Sequence, residues 1–309
     1  MKKFLTVLSI AVLPVALLCV AAVVVEWHVF RVKMRAPDAH IGILGDSLIG
    51  AGVNEKHWPE IANFAKGTTQ PPVWLAKLDV ILDENPQIDT FLVPMWSGLI
   101  TRYPEMPSNE RAQFTRGWIP LHTVLDIMRT KEMGGLPARD FARNFIRGPL
   151  WSFLNRCAGR EIKRQMYRQY EERNCVVTDS DEWKNGCKME INSWGSVPAS
   201  NDLLVFKEYN DIFNMLKVRG KAIIIVTPPL MPIVQEQITA NGVREWSAAR
   251  IKEYVDKYQV PYFDFTDSVP EPECYEDSVH LNSVGARKFT TILKDRYYKE
   301  IAGLHGDKE

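Results

Sequence analysis

The sequence predicts an α/β protein built on a parallel sheet with helices on both faces. Short apolar segments alternate with amphipathic helical segments from residue 40 to 93, and the alternation returns from residue 202 to 301. The segment 221–227 (KAIIIVT) has a continuous β-branched interior, which is typical of a central parallel strand buried on both faces. The 46% of hydrophobic and 25% of charged residues are ordinary for a globular chain of 309 residues.

Each element of the first stretch has its own sequence signal. The strands are short apolar runs, and the helices carry apolar residues every three or four positions. The helix that opens at Pro71 stops at Asn85, because the proline that follows cannot continue it. In chain order we predict strand 40–44, a helix or a loop with helical turns over 48–58, strand 61–65, helix 71–85 and strand 88–93.

The alternation stops after the third strand and resumes after Pro198. Residues 97–200 are therefore predicted to be a mainly helical cap insertion within an α/β domain that covers residues 40–309. The second half of this domain is predicted to contain helix 202–218, strand 221–227, helix 243–258, strand 260–265 and helix 283–301.

The predicted insertion is strongly basic in its centre. Residues 139–173 contain nine basic and four acidic residues, and Arg139, Arg143 and Arg147 fall on one helical face. Such a face is typical of a surface that meets anionic glycan or phospholipid head groups. A simple solvated helix face is the alternative.

The N-terminal residues are predicted to lie outside the α/β domain. A short tail, residues 1–3, precedes residues 4–25, which carry no charge and would span roughly 33 Å as a helix. That length matches the hydrocarbon core of a bilayer, so we predict an uncleaved transmembrane anchor followed by a linker over residues 26–39. A cleaved signal peptide is the alternative.

Some classes of function find no support in the sequence. The formal net charge is zero, which gives no reason to expect binding to nucleic acid. The sequence has no phosphate-binding glycine-rich loop and no H-E-x-x-H motif, so we expect no metal or nucleotide cofactor.

A candidate nucleophile follows the first predicted strand. Gly45 and Asp46 turn the chain at the end of the strand, and Ser47 then stands where a helix can begin. Open α/β folds build their sites at this edge of the sheet, and the N–H groups of a helix start can stabilise an oxyanion. The alternative is an ordinary turn, since all three residue types favour turns.

A candidate acid and base lie near the other end of the chain. Asp277 precedes His280 by three residues in the loop before the final helix. A serine becomes a good nucleophile when a histidine takes its proton and a carboxylate orients that histidine. Asp264 and Asp267 are alternative acids, and His57 is an alternative base. The motif could also be no more than a surface histidine beside a helix cap at Asn282 or Ser283.

Together these motifs resemble the SGNH/GDSL hydrolase superfamily. The matching residues are Gly45-Asp46-Ser47, the segment 63–68 (NFAKGT), and Asp277-x-x-His280-Leu281-Asn282-x-x-Gly285. The resemblance implies a three-layer, flavodoxin-like parallel sheet. It also implies that Ser47 is the nucleophile, His280 the base and Asp277 the orienting acid.

The resemblance also implies an oxyanion hole. The N–H groups of Ser47 and Gly67 would contribute to it. The family usually supplies a further donor, an asparagine in a Gly-x-Asn-Asp segment after the third strand. Here residues 94–98 read PMWSG, so Ser97 or the N–H of Gly98 would have to substitute.

The resulting hypothesis is a membrane-anchored serine esterase or O-acyltransferase. By resemblance, its substrates are acyl esters, acetyl above all, of cell-envelope polysaccharide, and a membrane acyl-transfer protein is a possible partner. The alternative is a non-catalytic envelope protein that uses the same scaffold to bind glycan or a membrane partner. The absent asparagine favours this alternative, and the presence of Ser47, Asp277 and His280 opposes it.

The cysteines bear on location. Cys157, Cys175, Cys187 and Cys274 all follow the predicted anchor, and an even number is compatible with two disulfides in an oxidising compartment. Four reduced thiols are the alternative. Charged residues flank the anchor on both sides and leave its orientation open. The cysteines and the resemblance together predict an extracytoplasmic, periplasmic domain on a single-pass membrane protein.

Overall fold

The structure is a computed structural model that describes residues 2–65, 71–102, 196–198 and 204–306. The chain divides into two compact units. The first unit comprises Met1–Arg35, Ala76–Glu84 and Met106–Gln165, and the second comprises Ala36–Leu75, Asn85–Glu105 and Met166–Glu309. Most of the predicted insertion, with its basic face, lies outside the described residues.

The first unit begins with a long helix, α1, which spans Lys2–Lys33 and contains Pro14. The helix therefore runs through much of the segment predicted as a linker over residues 26–39, which holds no glycine or proline before residue 36. Within residues 2–65, 71–102 and 204–306, no helix combines the length and apolar character that a bilayer crossing requires.

The end of α1 is tied to one buried carboxylate. Arg31 and Arg35 both donate to Glu84, the second over 2.6 Å, and the Glu84 side chain is only 6% exposed. Hydrogen bonds from Arg35 and then Arg31 hold the pKa of Glu84 below its ordinary value. These two ion pairs give the last turn of α1 a fixed attachment within the first unit.

The second unit contains a five-stranded parallel sheet, as the sequence predicts. The strand order is β2-β1-β3-β4-β5. This is the flavodoxin-like order, in which the direction of winding reverses between β1 and β3 and leaves a crevice at the carboxyl ends of those strands. The strands are β1 (Ile41–Ile43), β2 (Ile61–Asn63), β3 (Thr90–Pro94), β4 (Ala222–Thr227) and β5 (Tyr262–Asp264).

Helices follow the strands in the predicted alternation. They are α2 (Ser47–Gly52), α3 (Pro71–Glu84), α4 (Ser97–Arg102), α5 (Leu204–Val218), α6 (Pro232–Ala240), α7 (Val243–Tyr258) and α8 (Ser283–Gly306). A short 3₁₀ helix, Pro272–Cys274, precedes α8. Helix α6 was not predicted, because Pro228 and Pro229 mark only the end of β4; Pro232 then occupies its first turn, where a missing N–H costs nothing.

Helix α2 is shorter than the predicted segment 48–58 because a side chain ends it. The amide of Asn63 donates to the carbonyl oxygens of Gly50 and Val53, each at 3.1 Å. These carbonyls would otherwise bond to the next helical turn, so Asn63, at the end of β2, closes α2 after one and a half turns.

Several helices pack on one another within the second unit. Helix α8 packs on α2, where the ring of Phe289 fills the space beside Gly52. Helix α5 packs on β4, and its Phe213 meets Tyr254 of α7 edge to face, with ring centroids 5.6 Å apart. Helices α2 and α8 thus pack as one group, and α5 and α7 as another.

Of the two alternatives for the cysteines, two disulfides among all four are excluded, and the state of the other three cysteines stays untested. Among the described residues Cys274 is a free and buried thiol, so it contributes no disulfide next to the acid–base loop. Burial raises its pKa, which keeps the thiol protonated. Cys157, Cys175 and Cys187 lie outside the described residues.

Candidate active site

The turn that presents Ser47 depends on a glycine. Gly45 has a φ of 149°, a conformation that side-chain-bearing residues rarely adopt. A Cβ atom at this position would also lie 2.1 Å from Ile49. With this turn made, Ser47 becomes the first residue of α2 and remains partly exposed at the carboxyl end of β1.

The residue before the serine is a buried carboxylate with two donors. Asp46 is 6% exposed and caps α2, with its Oδ1 accepting the N–H of Leu48 at 3.1 Å. Its Oδ2 accepts the indole N–H of Trp96 at 3.0 Å. Trp96 follows β3, so this bond joins the ends of the two strands between which the sheet reverses.

The predicted pairing of Asp277 with His280 is present. The Nδ1 atom of His280 lies 2.7 Å from Asp277 Oδ2, and the other carboxylate oxygen accepts the backbone N–H groups of His280 at 2.7 Å and Val279 at 2.9 Å. Partial burial acts to raise the pKa of Asp277, but the bonds from His280 and Val279 prevail and lower it. The carboxylate is thus held ionised on one ring nitrogen, which directs Nε2 of the imidazole away from it.

Short-range contacts shape the loop that carries this pair. Tyr275 and Leu281 form an antiparallel bridge, and the N–H of Glu276 donates to the carbonyl of His280 at 2.8 Å. Asn282 is buried, donates to the carbonyls of Glu273 and Tyr275, and accepts the N–H groups that open α8. The loop is therefore closed at its base by residues within a few positions of one another.

A glycine at the start of α8 lets the loop close. A Cβ atom on Gly285 would lie 2.1 Å from the backbone oxygen of Cys274. That oxygen accepts the N–H of Asn282 at 2.9 Å. Any side chain at residue 285 would therefore push apart the two segments between which Asp277 and His280 lie.

The acid–base loop and the serine turn are joined to helices that pack on each other in the second unit. Helix α8, which follows the loop, packs on α2, which follows the serine. Burial raises the pKa of Asp46 above its ordinary value. The hydrogen bond from Trp96 and the positive charge of His280 both act to lower this pKa. His280 thus lies within electrostatic range of the residue adjacent to Ser47.

The predicted oxyanion donors are only partly placed. Ser97 begins α4 immediately after Trp96 and is 5% exposed, and its Oγ has no hydrogen-bond partner among the described residues. Gly98 follows it, also buried. Gly67 lies outside the described residues. A buried hydroxyl with an unused donor beside the site is suited to bind a polar group that arrives with a substrate.

The alternative acids and base are engaged elsewhere or exposed. Asp264 accepts the N–H and hydroxyl of Thr266, and Asp267 pairs with Arg244 at 3.2 Å. His57 is exposed in the turn after α2. Asp277 and His280 are therefore the better candidates on their contacts as well as on their spacing.

The role of Trp96 was not predicted from the sequence. Asp46 was interpreted as a turn residue, and Trp96 as part of a segment that departs from the family. The predicted parallel sheet contained a usable signal, because the residues that follow two neighbouring parallel strands meet at one edge of the sheet.

Comparison with known proteins yields fold similarity only. No protein-family model matches the chain, and no curated protein matches it. Solved structures do match. A protein described as an acylhydrolase from Bacteroides fragilis is 10% identical, with 87% of this chain and 93% of that chain covered and a TM-score of 0.42.

Two further solved structures match over most of the chain. A GDSL-like lipase from Bacteroides thetaiotaomicron is 9% identical, with 84% of this chain and 88% of that chain covered and a TM-score of 0.42. A carbohydrate acetylesterase family member from Sinorhizobium meliloti is 12% identical, with coverages of 83% and 96% and a TM-score of 0.34. At TM-scores below 0.5 these likenesses carry no weight for activity, which has to be argued from this chain's own residues.

Proposed function

We propose that the protein is a serine esterase or O-acyltransferase that works through an acyl-enzyme on Ser47. The observation that carries the proposal is the Asp277–His280 pair, joined by a 2.7 Å bond and carried by a loop whose following helix packs on the serine's helix. A carboxylate on Nδ1 fixes the tautomer in which Nε2 is free to accept a proton, and that is the state a serine needs from its base.

The first half-reaction forms one bond and breaks another. Ser47 Oγ attacks the ester carbonyl carbon while its proton passes to His280 Nε2. The tetrahedral oxyanion then collapses, the bond to the alcohol oxygen breaks, and the alcohol leaves with the proton that His280 returns. Asp277 stays ionised throughout and stabilises the imidazolium that forms between the two transfers.

The second half-reaction decides between the two activities. His280 takes a proton from water or from a sugar hydroxyl, whose oxygen attacks the acyl carbon. The bond from that carbon to Ser47 Oγ then breaks, His280 returns the proton to Ser47 Oγ, and the product is an acid or a new ester. In both half-reactions the oxyanion would be met by the N–H groups of Ser47 and Gly67. The unused hydroxyl of Ser97, or the N–H of Gly98, would supply a further donor.

The substrate class and location belong to the same proposal. We assign acetyl or other short acyl esters of envelope polysaccharide, with residues 4–25 as a membrane anchor and the α/β domain outside the cytoplasm. The uncharged run before residue 26 and the basic centre of residues 139–173 support it. A membrane protein that delivers acyl groups would be the partner of the transferase.

Labelling with a fluorophosphonate probe tests the activated serine. The full chain, purified in detergent, is expected to be labelled at Ser47, and labelling is expected to vanish in Ser47→Ala and His280→Ala. His57→Ala is the matched control, because it removes an exposed histidine close in sequence to the serine. Labelling that persists in His280→Ala, or folded wild-type protein that is never labelled, contradicts the proposal and favours a glycan-binding scaffold.

Product analysis then separates hydrolase from transferase. The wild-type chain is incubated with an activated acetyl ester, with and without an oligosaccharide acceptor. An esterase releases acetate at a rate that the acceptor leaves unchanged, whereas a transferase forms acetylated sugar at the expense of acetate. Resistance of the full chain to extraction from membranes at alkaline pH checks the anchor separately.

A further inference from the structure

The proposed catalytic triad uses one carboxylate, but the site contains a second. Asp46 directly precedes the nucleophile and is 6% exposed. Both of its oxygens accept N–H donors, Oδ1 from Leu48 and Oδ2 from the indole of Trp96. A carboxyl group whose two oxygens both accept is arranged for the ionised form, and a buried ionised group needs a compensating charge.

We propose, on the premise of the proposed function, that Asp46 and Trp96 are positioning residues: Trp96 holds a buried carboxylate beside Ser47, and that carboxylate stabilises His280 when it carries the serine's proton. In this arrangement the imidazolium faces two negative groups. Asp277 binds its Nδ1 directly, and Asp46 acts through space from the side of the nucleophile.

The groups around Asp46 support this assignment. Two titratable groups among the described residues are coupled to it: His280, and Tyr209 of α5. Tyr209 donates its hydroxyl to the carbonyl of Pro94 at 2.7 Å, and its burial holds its pKa well above 10, so it stays neutral. Among the described residues, the positive charge that acts on Asp46 is therefore the one that appears on His280 during the reaction.

The Trp96 bond gives the arrangement its precision. The indole N–H reaches Asp46 across 50 residues of sequence and fixes the carboxylate that caps the serine's helix. Without this donor the buried carboxylate loses its side-chain hydrogen bond, so its charge is stabilised less and its position is less defined. Trp96 also directly precedes Ser97, so one bond sets the distance between the serine turn and the start of α4.

The test measures the pKa of His280 itself. In the full chain labelled with ¹³C-histidine, the ring resonances are followed against pH, with His280→Asn used to assign the signal. In Asp46→Asn the pKa of His280 is expected to fall by about half a unit or more, because an opposite charge that favoured the imidazolium is gone. Asp46→Ser, which keeps a helix-capping oxygen without the charge, should give the same shift and serves if the first variant folds poorly.

Trp96→Phe is expected to shift the pKa of His280 in the same direction by less. Its matched control is Trp58→Phe, which also removes one indole hydrogen bond from a buried ring, in that case the bond to Tyr298 at 3.3 Å, but away from the site. The control should leave the titration of His280 unchanged. An unchanged titration in both Asp46 variants overturns the inference.

This readout does not depend on turnover, so the two proposals fail in distinguishable ways. If the wild-type chain is never labelled by fluorophosphonate but His280 still responds to Asp46, the proposed function falls and the coupling stands. In the opposite case, labelling requires Ser47 and His280, while neither the pH dependence of labelling nor the pKa of His280 changes in the Asp46 variants. That result supports the proposed function and contradicts the coupling of Asp46 to His280.

Discussion

The two halves of the candidate site are held together in different ways. The acid–base loop is closed by contacts within residues 273–285, whereas the serine turn is held by partners brought from far along the chain. Trp96 reaches Asp46 over 50 residues, and Thr290 reaches the end of α2 over more than 230. One half is thus a property of a short segment, and the other is a property of the completed fold.

The two carboxylates show the same contrast in their electrostatics. The pKa of Asp277 is lowered, because its hydrogen bonds from His280 and Val279 outweigh a partial burial. The pKa of Asp46 is raised, because its nearly complete burial outweighs the bond from Trp96 and the charge of His280. A locally built loop can leave its acid half exposed to water, whereas a residue at the centre of the fold loses its solvation.

The largest expected effect comes from removing the carboxylate charge of the acid–base loop. Asp277→Asn should lower kcat/KM for an activated ester by about a thousandfold or more with little change in stability, because the imidazole loses the group that fixes its tautomer. Asp264→Asn is the control, since this exposed carboxylate bonds to Thr266. Equal activity in wild type and Asp277→Asn would remove Asp277 from the mechanism.

Breaking the backbone of the same loop should cost stability as well as activity. Gly285→Ala places a methyl group against the oxygen of Cys274, and we expect a loss of about 2–4 kcal/mol in the free energy of unfolding. Gly220→Ala is the control for a glycine in general: its φ is 68° but nothing lies near its Cβ position, so only about 1–2 kcal/mol of backbone strain is added. Urea denaturation followed by circular dichroism measures both, and equal losses would show that crowding at Cys274 is unimportant.

A smaller effect is expected from removing a long-range hydrogen bond that joins α8 to the segment after α2. The hydroxyl of Thr290 is buried, accepts the N–H of Asn54 at 3.0 Å and donates to Ala286 at 2.7 Å. Thr290→Val keeps the shape but leaves that N–H without its acceptor, which should cost about 1–2 kcal/mol of unfolding free energy.

Its neighbour on α8 provides the matched control. Thr291 makes only an exposed bond to the carbonyl of Arg287, so Thr291→Val should change stability by less than about 0.5 kcal/mol. If the two variants unfold at the same urea concentration, the long-range bond does not hold α8 to α2.

The smallest effect expected is a difference in how stability responds to acid. The lowered pKa of Asp277 means that its ionised form stabilises the fold above its ordinary value of 3.8, and this contribution is lost as pH falls through the folded-state value. The raised pKa of Asp46 has the opposite sign: its contribution is present at low pH and is lost as pH rises through its folded-state value.

Unfolding free energies measured from pH 6 to pH 3 separate the two signs. Relative to wild type, Asp277→Asn should lose less stability on acidification, and Asp46→Asn should lose more. Parallel curves for the two variants would mean that the two carboxylates do not differ in the way their surroundings imply.

The difference between the halves also explains what the sequence could reveal. The Asp277–His280 contact was predictable because its members stand three positions apart in one loop. The parallel sheet was predictable because its strands are apolar and alternate with helices. The capping of α2 by Asn63 and the bond from Trp96 to Asp46 were not predicted. Both contacts depend on how the strands and helices come together, and no local sequence pattern around Asn63 or Trp96 indicates which residue it contacts.

Other misses have equally specific causes. Helix α6 begins at Pro232 just beyond two prolines that read as a loop. Cys274 looked like half of a disulfide because cysteine counting carries no geometry, whereas the structure leaves it as a free thiol under the loop. The anchor over residues 4–25, the basic face of residues 139–173 and the donor at Gly67 remain predictions.

The closed base of the acid–base loop has a consequence for the order of folding. Its contacts have low contact order, so they lose little chain entropy on forming and can appear as soon as the C-terminal segment is available. The serine turn needs β1, β3 and α8 to meet first. We therefore expect a partly folded chain to hold a paired imidazole and carboxylate with no serine yet beside them, so that acyl transfer would begin only when the sheet is complete.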